Sequence, residues 1–352
     1  MHKYHFNIIT NDSGNNAGTK ATEDCRSILI ENGFIDVQIN FKKALYLLPL
    51  NLLKLVISLI TLFFKIKNNS FVVVQYPLKG INRYFKYFIR LSKIKHCKIA
   101  CIVHDLDSLR AGYDAVKIIN EIKSLSAYDA VIAHNPAMSA WLKKQGYNGH
   151  IEEIELFDYL VPENQLNSTE PQPLFDNVSK PEIVFAGNLS RGNFLPELIK
   201  ANTFFKLNLY GSGFDKQTPP TSNLKWYGSF SSTQIVSEIK GNFGLVWDGE
   251  SITDITGIMG EYLRINTPHK TSLYLVAGLP IIISEHAAMA AFVRKNKIGI
   301  CIKGIGDLQN LHLTTTATEY KQMILNVQAI RNRLVKGFYL QNAISRVQSY
   351  LS

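Results

Sequence analysis

Short apolar strands alternate with helical stretches along the whole chain, and the alternation runs twice. In the first half, strand-like runs occur at His5 to Thr10, Phe71 to Gln75, Lys98 to Val103, Ala130 to Ala133 and Ile151 to Phe157. A helix fits from about Thr19 to Glu31, and another opens at Asn135-Pro136 and ends near Gly146. Pro162, Pro171, Pro173 and Pro181 then break the pattern, which restarts with runs at Glu182 to Ala186, Lys206 to Tyr210, Leu224 to Tyr227, Phe243 to Trp247, Ile281 to Ser284 and Ile298 to Ile302. Strand, crossover helix and strand repeated in this way build parallel sheets covered on both faces. We therefore expect an α/β chain of two doubly wound domains, 1–165 and 181–330, joined by a linker at 166–180. The final helical run from Ala317 to Leu351 is long enough for its end, 331–352, to cross back to the first domain. With 352 residues, 46% of them hydrophobic, each domain can bury an ordinary core. Ligands of such folds collect in a cleft at the carboxyl ends of the strands.

Charge is distributed unevenly. The formal net charge is +10, yet no Asp or Glu occurs from Val37 to His104, where twelve Lys or Arg fall between Lys42 and Lys98. Within that stretch Leu45 to Phe64 is strongly apolar, but Pro49, Asn51 and Lys54 interrupt it, so it falls short of a membrane-spanning helix of about 20 residues. Arg83, Lys86, Arg90 and Lys93 recur at helical spacing, interleaved with Tyr84, Phe85, Tyr87 and Phe88. A basic stripe beside an aromatic face fits a helix lying on an anionic membrane surface, the reading placed first, ahead of a core helix with a solvated basic face. Basic and aromatic residues also bind single strands, but no nucleic-acid motif accompanies them, and no nucleic-acid partner is expected. Cys25, Cys97, Cys101 and Cys301 form no CxxC pair. They imply a reducing, cytoplasmic setting without structural zinc. The start, MHKYHFNIIT, runs directly into a strand pattern and shows no signal-peptide core.

The segment Phe243 to Ser284 carries the strongest functional signal. A buried strand, a polar glycine-containing loop and a helix opening at Thr267-Pro268 precede the next strand. Thr267 suits the N-cap and Pro268 the first helical position, while Gly278 suits the left-handed position after the helix. His269 and Lys270 then fall in the first turn, where unpaired N–H groups and the helix dipole already present positive charge. A cation there is unfavourable unless an anion sits in front of it, so the helix start reads as a diphosphate site.

Other candidates lie at neighbouring strand ends. GNLSRG places Arg191 where its fork could hold a diphosphate through two oxygens. Tyr210-Gly211 and Tyr227-Gly228 each pair an aromatic face with a glycine that lets a ligand approach the backbone. Arg191, Tyr210, Tyr227, Asp248 and Lys270 share one sheet edge and describe a nucleotide-diphosphate pocket. In the first half, the loop after the first strand contains Gly18, Thr19 and Lys20. It matches neither GxGxxG nor the Walker A spacing, and suits either an approach to phosphate or sugar or an ordinary tight turn. Asp105, in His104-Asp105-Leu106-Asp107, suits a general base facing the cleft, or with Asp107 a cap for the next helix. Although DxD spacing can hold Mn²⁺ or Mg²⁺, a second sheet supplying the diphosphate site makes a metal unnecessary. Asp12, Glu250, Asp254 and Glu261 are competing carboxylates.

VHDLDSLRAG, VIAHNPAM, IELFDYLV, FAGNLSR, YGSF, FGLVWDGES and the run from Gly260-Glu261-Tyr262 through INTPHKTSLYL resemble the bacterial polysaccharide glycosyltransferases that include the O-antigen β-1,6-galactofuranosyltransferase. They are more loosely similar to the glucosyltransferases that extend adhesin glycans. The resemblance covers nearly the whole chain and implies a GT-B fold, with two Rossmann-like domains facing a central cleft. It also implies a UDP-sugar donor and metal-independent transfer without a cofactor. By it, Arg191, Tyr227 and the loop through Arg264, Asn266, Thr267, Pro268, His269 and Lys270 are carried over as UDP contacts. The galactofuranosyl example points to a β-linkage made with inversion. Galactofuranose is the first expectation for the sugar and glucose the second. The implied acceptor is a growing surface glycan, such as an O-antigen repeat on a polyprenyl diphosphate. That acceptor would place the protein peripherally at the inner face of the bacterial cell membrane. A glycoprotein acceptor, a non-catalytic sugar-nucleotide-binding partner subunit and a homo-oligomer are also compatible with the sequence.

Overall fold

The computed structural model describes residues 1–9, 17–40, 48–78, 81–166, 180–311 and 315–352. The chain divides into two compact units. Met1–Gly14, Ala21–Glu155 and Tyr339–Ser352 form the first, and Asn15–Lys20 with Leu156–Phe338 form the second. The division differs from the expected boundaries in detail. Leu156 to Gln165 joins the second unit, and the return to the first begins at Tyr339 instead of 331. Most of the expected linker, 167–179, and most of the loop after the first strand, 10–16 with Asp12, lie outside the described residues.

In the first unit β1 (Lys3–Ile9), β2 (Ile35–Asn40), β3 (Phe71–Tyr76), β4 (Lys98–Val103), β5 (Ala130–Ala133) and β6 (His150–Glu153) form one parallel sheet in the order β2-β1-β3-β4-β5-β6. The central strands read FVVVQY and KIACIV because a parallel sheet covered on both faces buries consecutive side chains. The edge strand β2, IDVQIN, is absent from the expected elements although its apolar and polar residues alternate strictly over six positions. The helices are α1 (Ala17–Glu31), α2 (Leu48–Lys65), α3 (Asn82–Ser92), α4 (Asp107–Arg110), α5 (Ala115–Leu125) and α6 (Pro136–Lys144). Asn135 caps α6 by accepting from the Met138 N–H at 3.1 Å, with Pro136 in the first turn.

The aromatic face of α3 turns inward. Phe85 and Phe88 are each 1% exposed and meet Phe6 edge to face at 6.2 and 5.4 Å. They build the core of the first unit, which corrects the expectation that they flank the basic stripe on a lipid-facing surface. Among the described residues, no helix is long and apolar enough to cross a membrane.

The second unit repeats the plan with β7 (Glu182–Ala186), β8 (Lys206–Tyr210), β9 (Leu224–Trp226), β10 (Phe243–Val246), β11 (Ile281–Ser284) and β12 (Gly299–Ile302). All are parallel, in the order β12-β11-β10-β7-β8-β9. Its helices are α7 (Leu195–Ala201), α8 (Gln234–Glu238), α9 (Gly257–Leu263), α10 (His269–Val276), α11 (Ala290–Asn296) and α12 (Ala317–Leu334). A final helix, α13 (Phe338–Leu351), belongs to the first unit from Tyr339 onward. There Arg346 donates to Glu152 Oε2 and to the Glu153 carbonyl, both at 2.7 Å, and Tyr350 stacks on His150 at 3.6 Å. These contacts cover the edge strand β6.

His134, just beyond β5, is 1% exposed, and its Nε2 donates to the Val103 carbonyl at 2.9 Å. Burial lowers its pKa to about 4, against hydrogen bonds to the Val103 and His104 backbone that raise it. The unfolded chain gains a proton near the usual value of about 6.5, whereas the folded chain resists protonation until about 4. Stability from neutral His134 is therefore complete above pH 6.5 and is lost as pH falls toward 4. Urea unfolding at pH 7 and pH 5 should show the difference between the two conditions shrinking by about 2 kcal/mol in His134→Gln.

Candidate functional site

The strand order of the second sheet reverses at β7, which lies between β10 and β8. Doubly wound sheets bind ligands at such switch points. Helix α10 starts there. Its Lys270 ammonium lies 4.4 Å from the Phe185 ring of β7 and 3.3 Å from Asp248 Oδ1, just beyond β10. It also approaches the Trp247 carbonyl at 3.5 Å. Asp248 and Lys270, expected at one sheet edge, therefore stand together as an ion pair. Their side chains are 24% and 17% exposed, so the pair is partly open to an incoming group.

Tyr274, one turn further along α10, locks the helix to the sheet. The Ala186 N–H donates to its hydroxyl at 2.8 Å, and its ring crosses β10 at Gly244, where a Cβ would stand 2.2 Å from Tyr274 Cγ. The α10 register thus depends on a glycine inside a buried strand. At the far end Gly278 adopts φ +86°, the left-handed position expected of it. The near end differs from expectation by one residue. Pro268 is the N-cap, with no side-chain hydrogen bond, and His269 begins the helix. Thr267 is buried and its hydroxyl donates to Met289 Sδ at 3.2 Å, so it does not cap the helix.

Three polar atoms around this helix start are buried without a hydrogen-bond partner among the described residues: Asn266 Oδ1, His269 Nε2 and Thr271 Oγ1. Buried polar groups in native proteins are nearly always paired, so a cluster of three orphans at one helix start makes it the candidate binding site. The His269 ring stacks on Tyr159 at 5.0 Å, and the Lys20 ammonium lies 4.7 Å from the Tyr159 ring. Lys20 also donates to the Leu160 carbonyl at 2.6 Å. Burial first, and the charge of Lys20 second, lower the His269 pKa to about 3, so the imidazole is neutral at physiological pH. Lys20, with Gly18 and Thr19 at the start of α1, thus reaches the same region of the second unit as His269. Tyr159 joins them, although nothing in the local sequence marked it.

The other strand ends divide into open and committed groups. Arg191 is exposed at the end of the 3₁₀ turn Leu189–Arg191, which Asn188 shapes by accepting from the Ser190 N–H at 3.1 Å and its hydroxyl at 2.7 Å. Arg264 is held by Asp254 at 3.0 Å and Glu261 at 3.3 Å, which brace the loop ahead of α10. Tyr210 corrects an expectation. It is 0% exposed, its hydroxyl donates to the Glu238 carbonyl and accepts from the Lys240 N–H, and Tyr227 covers its ring at 4.7 Å. No face of Tyr210 remains for a base, and the half-buried Tyr227 is itself covered on its other side by the Lys225 ammonium, 4.5 Å from its ring. Gly211 likewise admits the neighbouring loop instead of a ligand. At φ +132°, its Cβ would stand 1.8 Å from the Gly187 carbonyl oxygen.

In the first unit, Asp105 follows β4 and is ion-paired with Arg110. The loop around it is anchored by Glu121, which is 6% exposed. Glu121 accepts from the Asp107 N–H at 2.9 Å, the Ser108 N–H at 3.2 Å, the Ser108 hydroxyl and the Tyr76 hydroxyl at 3.1 Å. Burial raises its pKa, and these hydrogen bonds oppose the shift. The N-cap of α4 is Leu106 without a side-chain bond, so neither Asp105 nor Asp107 caps it; the distant Glu121 satisfies the first turn. A polar chain also ends at His104. Gln75 Nε2 donates to the Thr22 carbonyl at 3.0 Å, which fixes the amide. Gln75 Oε1 then accepts from His104 Nε2 at 2.7 Å, and Gln75 Nε2 donates to His5 Nε2 at 3.0 Å. His5 Nδ1 therefore carries the proton donated to Asp36 Oδ1 at 2.9 Å, and Arg26 binds Asp36 Oδ2 at 2.8 Å.

Two doubly wound units, each on a six-stranded parallel sheet, are the architecture of the GT-B fold. Solved structures agree in fold. Anabaena Alr3699/HepE in complex with UDP aligns over 99% of this chain and 100% of its own, at TM-score 0.62 and 11% identity. An α,α-trehalose-phosphate synthase (UDP-forming) from Burkholderia vietnamiensis aligns over 100% and 98%, at TM-score 0.60 and 9% identity. Residues 3–155 match the glucosyltransferase 3-like N-terminal domain, and residues 183–347 the glucosyltransferase 3-like C-terminal domain. The chain is 31% identical over 296 residues to the β-1,6-galactofuranosyltransferase WbbI of Escherichia coli K12, covering 83% of each. It is 23% identical to glucosyltransferase 3 of Streptococcus gordonii, over 78% of this chain and 77% of that one. The chain belongs to the glucosyltransferase 3-like family of glycosyltransferases.

Because Tyr274 can cross β10 only at a residue without a side chain, Gly244→Ala should displace α10 and destabilise the protein by about 2 kcal/mol. Thermal unfolding measures this directly; an unchanged midpoint would show that the helix is not held as described.

Proposed function

We propose that the protein transfers a hexosyl residue, with galactofuranose from UDP-galactofuranose as the first assignment, to a hydroxyl of a growing surface glycan carried on a polyprenyl diphosphate. The observation that carries the donor assignment is the α10 start, where Lys270 and three unpartnered buried polar atoms surround the positive end of a helix. UDP is bound in one structure of the same fold. The diphosphate would take the His269 and Lys270 N–H groups of the first turn and the Lys270 ammonium. Arg191 closes on it from the β7 loop, and Tyr227 would receive the base once the Lys225 ammonium, 4.5 Å from its ring, moves aside. Asp248 holds Lys270 in place before the donor arrives.

In the transfer, the acceptor hydroxyl oxygen bonds to the anomeric carbon. The bond from that carbon to the UDP oxygen breaks, and its electron pair leaves with UDP. Charge therefore grows on the diphosphate as reaction proceeds, where the helix start and Lys270 stabilise it without a metal. The hydroxyl proton needs an acceptor, and Asp105 is our assignment, presented by the Glu121-anchored loop and oriented by Arg110. WbbI favours galactofuranose as the sugar, whereas the glucosyltransferase 3 relatives favour glucose.

Lys270→Ala should weaken UDP binding by about tenfold to a hundredfold, the worth of a charge-assisted hydrogen bond, and Arg191→Ala by a smaller factor. Calorimetry with UDP tests both, and unchanged affinity in both would remove the assigned donor site. Asp105→Asn should lower kcat by about a hundredfold or more while leaving UDP affinity intact. Turnover of UDP-galactofuranose, UDP-galactopyranose, UDP-glucose and UDP-N-acetylglucosamine with glycoside acceptors identifies the sugar. A preference for UDP-glucose would replace the galactofuranosyl assignment.

A further inference from the structure

Helix α2 is apolar on two sides. Leu55 and Leu62, with Ile66 just past its end, turn into the core at 1–3% exposure. Leu53, Val56, Ile57, Ile60 and Phe64 turn outward, at 57, 44, 54, 50 and 74% exposure. Their spacing keeps them in one stripe about 16 Å long. A helix that met only water on its outer side would be polar there. Lys95 ties the end of α2 to the turn following α3, donating to the Phe63 carbonyl at 2.6 Å and the Ile66 carbonyl at 2.8 Å. In that turn Ile94 is 70% exposed, and Leu91 and Tyr87 follow it back along α3 at 48 and 54%. Side chains of this size rarely stand exposed together without a partner surface.

Charge identifies the partner. Lys54, Lys65, Lys67 and Arg90 are exposed on the same elements, and the chain from Val37 to His104 supplies no carboxylate to neutralise them. A second copy docking through this face by twofold symmetry would set like charges against one another at its rim. A lipid surface carrying anionic headgroups meets both needs, taking the apolar stripe to the depth of the acyl boundary while the cations reach the headgroups.

We propose that the outer face of α2, with the end of α3, seats the first unit on an anionic membrane surface, α2 lying in the plane of the interface. This deepens the proposed function and rests on it only in naming a lipid-linked acceptor as what is met there. The basic stripe of α3 takes part through Lys86 and Arg90; its buried phenylalanines do not.

The test is co-sedimentation of the full chain with phosphatidylcholine vesicles with and without phosphatidylglycerol, alongside Ile57→Ser/Phe64→Ser and Lys54→Gln/Lys65→Gln. The wild type should bind the phosphatidylglycerol vesicles and release with rising salt. The apolar double variant should partition at least about tenfold less, and the charge variant should lose its preference for the anionic lipid. UDP affinity, read on the same samples, should be unchanged and reports correct folding. The proposal is overturned if folded double variants bind as the wild type does. It also falls if the wild type ignores both vesicle types, including the case in which it is a dimer that the same substitutions dissociate. Vesicle binding without sugar transfer would leave the docking face standing and remove the transferase assignment; transfer to a soluble glycoside without vesicle binding would do the reverse.

Discussion

A lysine in the first turn of a helix is the constraint on which the second unit is arranged. Its charge adds to the positive end of the dipole and costs about 0.3–1 kcal/mol at an open surface. The structure offsets that cost with Asp248 at 3.3 Å and the Phe185 ring at 4.4 Å. Both contacts come from the strands that flank the switch point, so the ammonium is held where the two halves of the sheet part. Tyr274 and Gly244 fix the helix in the same place from below. Within this turn the Thr271 N–H is taken by the Pro268 carbonyl at 3.0 Å, so under the proposed function the backbone would contribute to diphosphate binding through the His269 and Lys270 N–H groups, beside the side chain.

The neutral state of His269 belongs to the same arrangement. A protonated imidazole between Lys20 and Lys270 would add a third cation to a buried position, and burial with Lys20 lowers its pKa to about 3 to prevent that. A neutral ring stacked on Tyr159 can still offer Nε2 to a ligand without adding charge. Positive potential is therefore concentrated on Lys270 and the helix end, close to where negative charge would develop on a departing diphosphate.

What the sequence disclosed follows from the range of the interactions involved. Buried parallel strands such as Phe71–Tyr76 and Ile281–Ser284 announce themselves through uninterrupted branched residues, and Gly278 and Asn135 act within a few residues of themselves. Lys270 was legible because a helix start and its charge are local facts. The start itself was misplaced by one residue because Thr267 has a cap-like side chain whose hydroxyl is taken by Met289, a distant residue. Tyr210 was misjudged for a similar reason. Position at a strand end is visible in sequence, but the hydroxyl's partners at 238 and 240 and the covering ring of Tyr227 are set by packing. Tyr159 and Glu121 escaped notice because the groups they serve lie far away or across a turn, and no local pattern marks them.

The two sheets share a plan yet treat their strand ends differently, and that difference locates the chemistry better than the fold does. At the first sheet the polar groups run inward. Arg26, Asp36, His5, Gln75 and His104 satisfy one another across four strands, and Glu121 spends three of its four described hydrogen bonds on the loop that carries Asp105 and the fourth on Tyr76 of β3. Such a network makes a rigid platform whose proton positions are determined by a single backbone carbonyl, that of Thr22. At the second sheet His269 Nε2 and Thr271 Oγ1 of α10, with Asn266 Oδ1 just ahead of it, remain unanswered among the described residues. A unit that closes its hydrogen bonds internally can hold a carboxylate at a constant orientation. Under the proposed function a donor would answer the open groups of the second unit, and its binding should therefore stabilise the second unit more than the first.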